Sequence, residues 1–192
     1  MDLFLAISQG IGTSLATGIR ALLVPLFVGV MARLNVGIDF ERTGFEWLEA
    51  VWWLALLAAL VVAAWLVDRS DIDVPEGVWA VVAMGLGGML FAGALEDENY
   101  FGEAGIVPGM ACALLGFLAA RAFLGGAVDR LAARGESGGT INALGDVAAL
   151  AVAALAVLLP PVSLAAVAFC LWVLLARRQR AGQKYEGLRI LR

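Results

Sequence analysis

The chain has 192 residues, of which 62% are hydrophobic, and its formal net charge is −4. Soluble globular domains have roughly 45–50% apolar residues, so this composition, with a mean hydropathy of +0.91, argues against a water-soluble protein. The sequence has no histidine and only two cysteines, Cys112 and Cys170, which does not fit a zinc site or a disulfide framework. We therefore expect an all-α integral membrane protein with no metal, no cofactor and no nucleic-acid partner.

The first apolar stretch begins at Leu3 and predicts a membrane-crossing helix to about Val24. The sequence does not fix where this helix ends, because apolar residues continue to Met31 and Pro25 predicts a kink or a break. Residues 25–34 would then lie at the membrane interface, fold back or cross the bilayer again. A second crossing would change the number of helices.

The first predicted helix carries a row of polar residues, Gln9, Thr13, Thr17 and Arg20. At 100° per residue they fall within about 80° of one another, on one face of the helix. Such a row either lines a transport pathway or forms hydrogen bonds that hold neighbouring helices together. The sequence leaves both interpretations open.

Five further stretches are apolar over lengths near the ~20 residues that a helix needs to cross a bilayer. They are Leu48–Val67, Gly77–Leu95, Ala104–Leu124, Ile141–Leu159 and Val162–Ala176. Together with the first stretch they predict a transmembrane bundle of about six spans over residues 1–176. Residues 177–192 follow as a basic tail.

Basic residues indicate the orientation, because short cytoplasmic segments are rich in Lys and Arg. The tail 177–192 contains five arginines and one lysine, whereas the loop 96–103 contains four acidic residues and no basic one. The tail is therefore expected in the cytoplasm and the acidic loop outside, where it is either a solvated turn or a means of attracting cations. With six spans, both termini would be cytoplasmic, in a bacterial or archaeal cell membrane.

A shift of 101 residues aligns the two halves of the chain and places Arg20 opposite Arg121. A connection four residues shorter in the second half then places Asp146 opposite Glu49. Three helices per half is an odd number, so repeat one (2–95) and repeat two (103–176) would have opposite orientations in the membrane, as an inverted repeat.

The repeat predicts two equivalent ion pairs, Arg20 with Glu49 and Arg121 with Asp146. Ionised groups in a membrane are costly unless they are paired or face water, so each pair is either a gate or a structural clamp between helices. The four residues lie towards helix ends, which favours the clamp.

These features predict a small transporter or channel for an ion or small solute, with a pathway between the inverted repeats. The alternative is a non-catalytic structural or accessory subunit that packs against copies of itself or against other membrane proteins in the lipid bilayer. The sequence shows no nucleophile with a base and no cofactor motif, so we do not expect an enzyme.

Three parts of the sequence resemble one membrane family, the domain of unknown function 4126. They are the C-terminal string Lys184–Arg192, the sequence Leu158-Leu159-Pro160-Pro161 and the sequence Ala16-Thr17-Gly18-Ile19-Arg20-Ala21. The resemblance implies a membrane bundle. It implies no catalytic or binding residues.

Overall fold

The computed structural model describes residues 3–67, 74–132 and 139–175, and for residues 124–132 and 139–142 it describes the backbone alone. Within these ranges the chain forms seven α-helices joined by turns and short 3₁₀ segments, which confirms the predicted all-α fold. The helices are α1 Leu3–Ile19, α2 Leu23–Arg33, α3 Val51–Val67, α4 Glu76–Asp97, α5 Glu103–Ala132, α6 Gly139–Leu158 and α7, residues 163–175. The predicted tail 177–192 lies outside the described residues.

Helix α1 is the centre of the bundle and packs against α4, α5 and α6. Its glycines allow this close packing. A Cβ atom at Gly18 would overlap the carbonyl oxygen of Ala113, and one at Gly116 would overlap the carbonyl oxygen of Leu15. Backbones that approach this closely are typical of helices that associate without a hydrophobic driving force between them.

The contacts of α4 fix the directions of α1 and α5. Gly10 lies beside Phe91 and Ser14 beside Gly87, so α1 and α4 are antiparallel. Gly105 likewise lies beside Phe91 and Gly109 beside Gly87, so α5 and α4 are antiparallel too. Because both run opposite to α4, α1 and α5 run in the same direction.

This parallel arrangement contradicts the predicted inverted repeat. The shift of 101 residues aligns α1 with α5, and an inverted repeat requires those two helices to run in opposite directions. The physical reason is the number of helices: four helices precede α5, not three, and an even number returns the chain to the end where it started.

The additional helix arises because the first apolar stretch folds back. The chain leaves α1 at Ile19, turns over residues 20–22 and re-enters a helix at Leu23. Pro25 does not cause this break, since it lies in the first turn of α2, where a missing N–H costs little.

Helix α2 runs beside α6 in the same direction. Arg20, just before α2, contacts Asp146, and Gly37, just after it, lies against Val157. Between these points one buried cluster joins the two helices at matching intervals of four residues: Val24, Val28 and Ala32 with Ala149, Ala153 and Val157. Residues 25–34 therefore return alongside the bundle.

The two ends of the bundle differ in charge. The acidic end contains the start of α1, the loop 98–102 and residues 34–50, which we call the return segment. Leu3, Tyr100 and Phe101 line one groove there. The arginine end contains the turn 20–22 and the start of α4, with Arg20 and Arg121. The start of α1 thus shares an end with the loop 98–102, whereas six spans would place them at opposite ends.

The outside of the bundle is apolar. Helix α3 lies against α2, and of its 17 residues only Leu57 is buried within the described part of the chain. Trp52 is 62% exposed and Val81, on α4, is 69% exposed. Two stretches, Glu76–Asp97 and Glu103–Phe123, are long and apolar enough to cross a membrane, and the other apolar helices have 10–17 residues.

Candidate functional site

The predicted polar row lies on the central helix and is buried. Gln9 is 3% exposed, and Thr13 and Thr17 are fully buried. Arg20 follows the last turn of α1 at the arginine end, and its side chain is 26% exposed. The row therefore crosses the interior of the bundle and reaches the surface only at Arg20.

The two threonines form hydrogen bonds within α1. Thr13 Oγ1 donates to the carbonyl oxygen of Gln9 at 2.9 Å, and Thr17 Oγ1 donates to that of Thr13 at 2.8 Å. Threonine hydroxyls in helices commonly form this bond to the preceding turn. Both donors are thus satisfied inside the bundle without a partner helix.

Gln9 instead holds the return segment. Its Nε2 donates to the carbonyl oxygen of Gly37 at 2.7 Å, across 28 residues of sequence. Gly37 has φ +75°, which favours glycine, and a Cβ there would lie 2.7 Å from the carbonyl oxygen of Val157. A buried amide with this bond joins α1 to the return segment at the point where the segment meets α6.

Two serines that the sequence analysis did not single out connect helices in a similar way. Ser14 Oγ donates to the carbonyl oxygen of Gly87 at 2.7 Å and so joins α1 to α4. Ser163 Oγ donates to the carbonyl oxygens of Pro160 and Ser8, which joins α7 to α1. The signal that could have found Ser163 is its place after Pro160-Pro161, where the chain must reverse between two apolar helices.

The predicted partners of both ion pairs are wrong. Arg20 Nε lies 2.6 Å from Asp146 Oδ1, and Arg121 forms an ion pair with Glu76. Because α1 and α5 are parallel, Arg20 and Arg121 lie at the same end, far from Glu49. Each pair still joins the two halves: Arg20 reaches an acid of the second half, and Arg121 reaches an acid of the first.

Glu49 lies at the acidic end, before the first residue of α3. It is 8% exposed, and its Oε2 has no hydrogen-bond partner among the described residues. Burial raises the pKa of the Glu49 carboxyl, although the Phe40 backbone N–H donates a hydrogen bond that lowers it. The nearby carboxylates of Asp39, Glu41 and Glu46 raise this pKa further.

A polar cavity of about 370 Å³ opens at the acidic end, between the return segment and the end of α4. Four carboxylates and one guanidinium line it, so it carries a net negative charge; its lining residues are Asp39, Glu41, Arg42, Thr43, Glu96, Asp97 and Asn99. A cleft that is lined by charges of one sign raises the local concentration of ions of the opposite sign. We call it the acidic cavity.

The family model of a domain of unknown function (DUF4126) matches residues 7–180. This range includes all of the polar row, both ion pairs and the return segment. Comparisons with curated proteins and with solved structures gave no match. The chain belongs to the DUF4126 family, as its resemblance in sequence indicated.

Proposed function

We propose that the protein is an integral membrane bundle that conducts or transports a small cation along α1. The membrane is supported by the distribution of polarity: large apolar side chains cover the outside, while Gln9, Thr13 and Thr17 are inside. A helix that is apolar on all sides is either buried in a protein core or in contact with lipid. Helix α3 is apolar on all sides and exposed, which fits lipid.

The helix directions support seven passes. Helices α1, α3, α5 and α7 would run from the acidic end to the arginine end, and α2, α4 and α6 would return. Helix α2 has 11 residues, fewer than the ~20 of a full crossing, so the residues after it, which reach Asp97 through Asp39, would complete its return. The basic tail follows α7, so the arginine end would be cytoplasmic and the acidic end outside. In this topology the N-terminus lies outside, whereas six spans place both termini in the cytoplasm. Arg33 and Arg42 lie at the outer end and do not follow the rule that basic residues favour the cytoplasmic side.

One observation carries the transport proposal: buried polar side chains recur along the central helix, between the acidic cavity and the arginine end. The acidic cavity lies at the outer end, Gln9, Thr13 and Thr17 follow along α1, and Arg20 with Asp146 lies at the cytoplasmic end. Polar groups at this depth are costly, and in membrane proteins they mark ion pathways. The state described is closed, since both hydroxyls bond carbonyl oxygens of α1 itself.

The test is cation flux in liposomes that contain the purified protein, measured over a panel of monovalent cations and protons. Thr13→Val removes a hydroxyl with little change of shape, and we expect it to lower the flux at least several-fold. Thr13→Ser restores the hydroxyl and serves as the matched control, with flux close to wild type. Wild-type liposomes that behave like empty ones across the panel would refute the proposal.

A second candidate function, a structural or accessory subunit, is favoured by α3. Its exposed surface carries Trp52, Leu60 and Trp65, and a partner helix could cover part of this surface in place of lipid. An accessory subunit should purify in mild detergent together with other polypeptides, and Leu60→Arg should release them. A preparation that contains this chain alone, with or without the substitution, argues against this role.

A further inference from the structure

The return segment contains a buried carboxyl group that has only one hydrogen-bond donor, the Phe40 N–H, among the described residues. Glu49 is 8% exposed, so more than nine-tenths of it is out of contact with solvent, and its Oε2 accepts no hydrogen bond from the described residues. The desolvation of an ionised carboxylate costs free energy that a partner must offset. A protonated carboxyl avoids most of this cost.

The charged groups around Glu49 do not offset it. Asp39, Glu41 and Glu46 repel its negative charge, and none of the described arginines forms an ion pair with it. The basic side chains of this end, Arg33 and Arg42, are exposed. Helix α4 adds only acids here, since Glu96 and Asp97 bind the return segment. Since no nearby positive charge in the described part of the chain offsets the negative charge of Glu49, protonation is what avoids the cost of burying that charge.

The return segment is held in place by three hydrogen bonds and by the buried side chains of Ile38, Phe40 and Leu48, all of which must separate if the segment leaves. Gln9 binds Gly37, Glu96 Oε2 accepts from the Gly44 N–H at 2.6 Å, and Asp97 Oδ2 accepts from the Asp39 N–H at 3.3 Å. Departure of the segment would uncover Glu49 and the outer end of the polar row together. Hydration of Glu49 would then restore its ordinary acidity.

We infer that Glu49 is a proton-binding site, which holds its proton more tightly while the return segment lies in the bundle than after the segment leaves. Over the pH range between these two affinities, opening of the acidic end releases a proton and closure takes one up. The proton site is inferred from the burial of Glu49 and the charges around it. Its role in transport rests on the proposed function above.

The sign of the pH effect follows from the direction of the shift. The pKa of Glu49 is raised in the closed state, so its contribution to the stability of that state is complete below the ordinary value of 4.5. This contribution is lost as the pH rises through the raised value. Acid therefore closes the segment, and alkali loosens it.

The experiment is infrared spectroscopy of the full chain in detergent, following the C=O stretch of protonated carboxyl groups against pH. We expect the wild type to keep a protonated glutamic acid above pH 4.5, the ordinary value, and Glu49→Gln to lose this band. The control Glu46→Gln removes an exposed acid three residues away and should keep the band. All proteins compared carry Asp97→Asn, because Asp97 is a second, partly buried carboxyl of the same end that could give a band of its own. In this background, a band that persists in Glu49→Gln, or its absence from the protein that retains Glu49, overturns the proposal.

Hydrogen exchange of residues 34–50 tests the coupling to the segment. After correction for the intrinsic effect of pH, exchange should accelerate in the wild type as Glu49 deprotonates and stay constant in Glu49→Gln. Equal pH dependence in both proteins would exclude the coupling. If Glu49→Gln does not fold, Glu49→Asp takes its place in the experiment. We expect Glu49→Asp to shift the pH at which the acceleration of exchange is half complete. Neither measurement depends on ion flux. If liposomes show no flux, the proposed transport function is refuted, but the proposed proton site at Glu49 is not.

Discussion

The buried polar side chains of α1 all donate to main-chain carbonyl oxygens, but their acceptors divide them into two groups. Ser8, Thr13 and Thr17 bond the preceding turn of α1, whereas Gln9 and Ser14 bond other elements. The hydroxyl bonds of the first group stay within α1 and join no two elements, so in the proposed opening these hydroxyls could change partner without breaking a bond between helices. The second group holds the bundle together. Thus the two interpretations of the polar row apply to different residues.

Gln9→Leu tests this division at one residue. The substitution removes the bond to Gly37, and a hydrogen bond of this kind typically contributes about 0.5–1.5 kcal/mol to stability. We expect faster hydrogen exchange in residues 34–50 and unfolding at a lower concentration of SDS. The control Ser14→Ala breaks the bond between α1 and α4 and should lower stability without affecting the return segment. Unchanged exchange in Gln9→Leu would show that other contacts hold the segment.

At the scale of elements, the contact between α1 and α5 depends on glycine at two points. Gly18 and Gly116 place the two backbones side by side, with no room for a Cβ atom at either position. The neighbouring atoms there are carbonyl oxygens of the backbone, which cannot move as a flexible side chain can. The pair α1 and α5 therefore forms the rigid core around which the other helices are arranged.

Gly116→Ala should separate α1 from α5. The added methyl group overlaps the backbone of Leu15, and overpacking of this kind typically costs about 1–3 kcal/mol or more. Gly85 is the matched control, since it is in the middle of α4 and a Cβ atom added there would have no neighbouring atom within 4 Å. Gly85→Ala should stabilise the protein by up to about 1 kcal/mol through helix propensity. SDS titration of both variants measures the difference, and equal effects would contradict the close contact.

Apolar stretches predicted the helices well because their length reflects a local property of the chain. The limits Leu48–Val67 and Gly77–Leu95 lie close to α3 and α4. The reversal at residues 20–22 could not be predicted in this way, since the sequence there remains apolar on both sides and Pro25 is tolerated within α2. The six-span topology omitted this reversal, although a fold-back of residues 25–34 was left open, and so it inverted the direction assigned to α1. The partners of Arg20 and Arg121 depend on that direction, so they were wrong: Asp146 was identified but assigned to Arg121, and Glu76 was not singled out.

For the whole molecule, the direction of α1 decides on which side of the membrane the proposed topology places Leu3. The charge pattern alone allows either side, because Leu3 has no basic residue near it. The helix contacts allow only one arrangement. Leu3 shares a groove with Tyr100 and Phe101, at the end opposite to the ion pair of Glu76. Six spans would place Leu3 on the same side as Glu76, and seven passes place it with the loop 98–102.

Single cysteines separate these two topologies in intact cells. In a protein whose Cys112 and Cys170 are replaced by serine, the positions Leu3, Phe101 and Gly77 are exposed and suited to substitution by cysteine. With seven passes, Leu3→Cys and Phe101→Cys should react with a membrane-impermeant thiol reagent from outside, and Gly77→Cys should react only after the cells are opened. With six spans, Leu3→Cys would behave like Gly77→Cys. Labelling of Leu3→Cys only in opened cells would therefore contradict the turn at residues 20–22 and, with it, the parallel packing of α1 and α5.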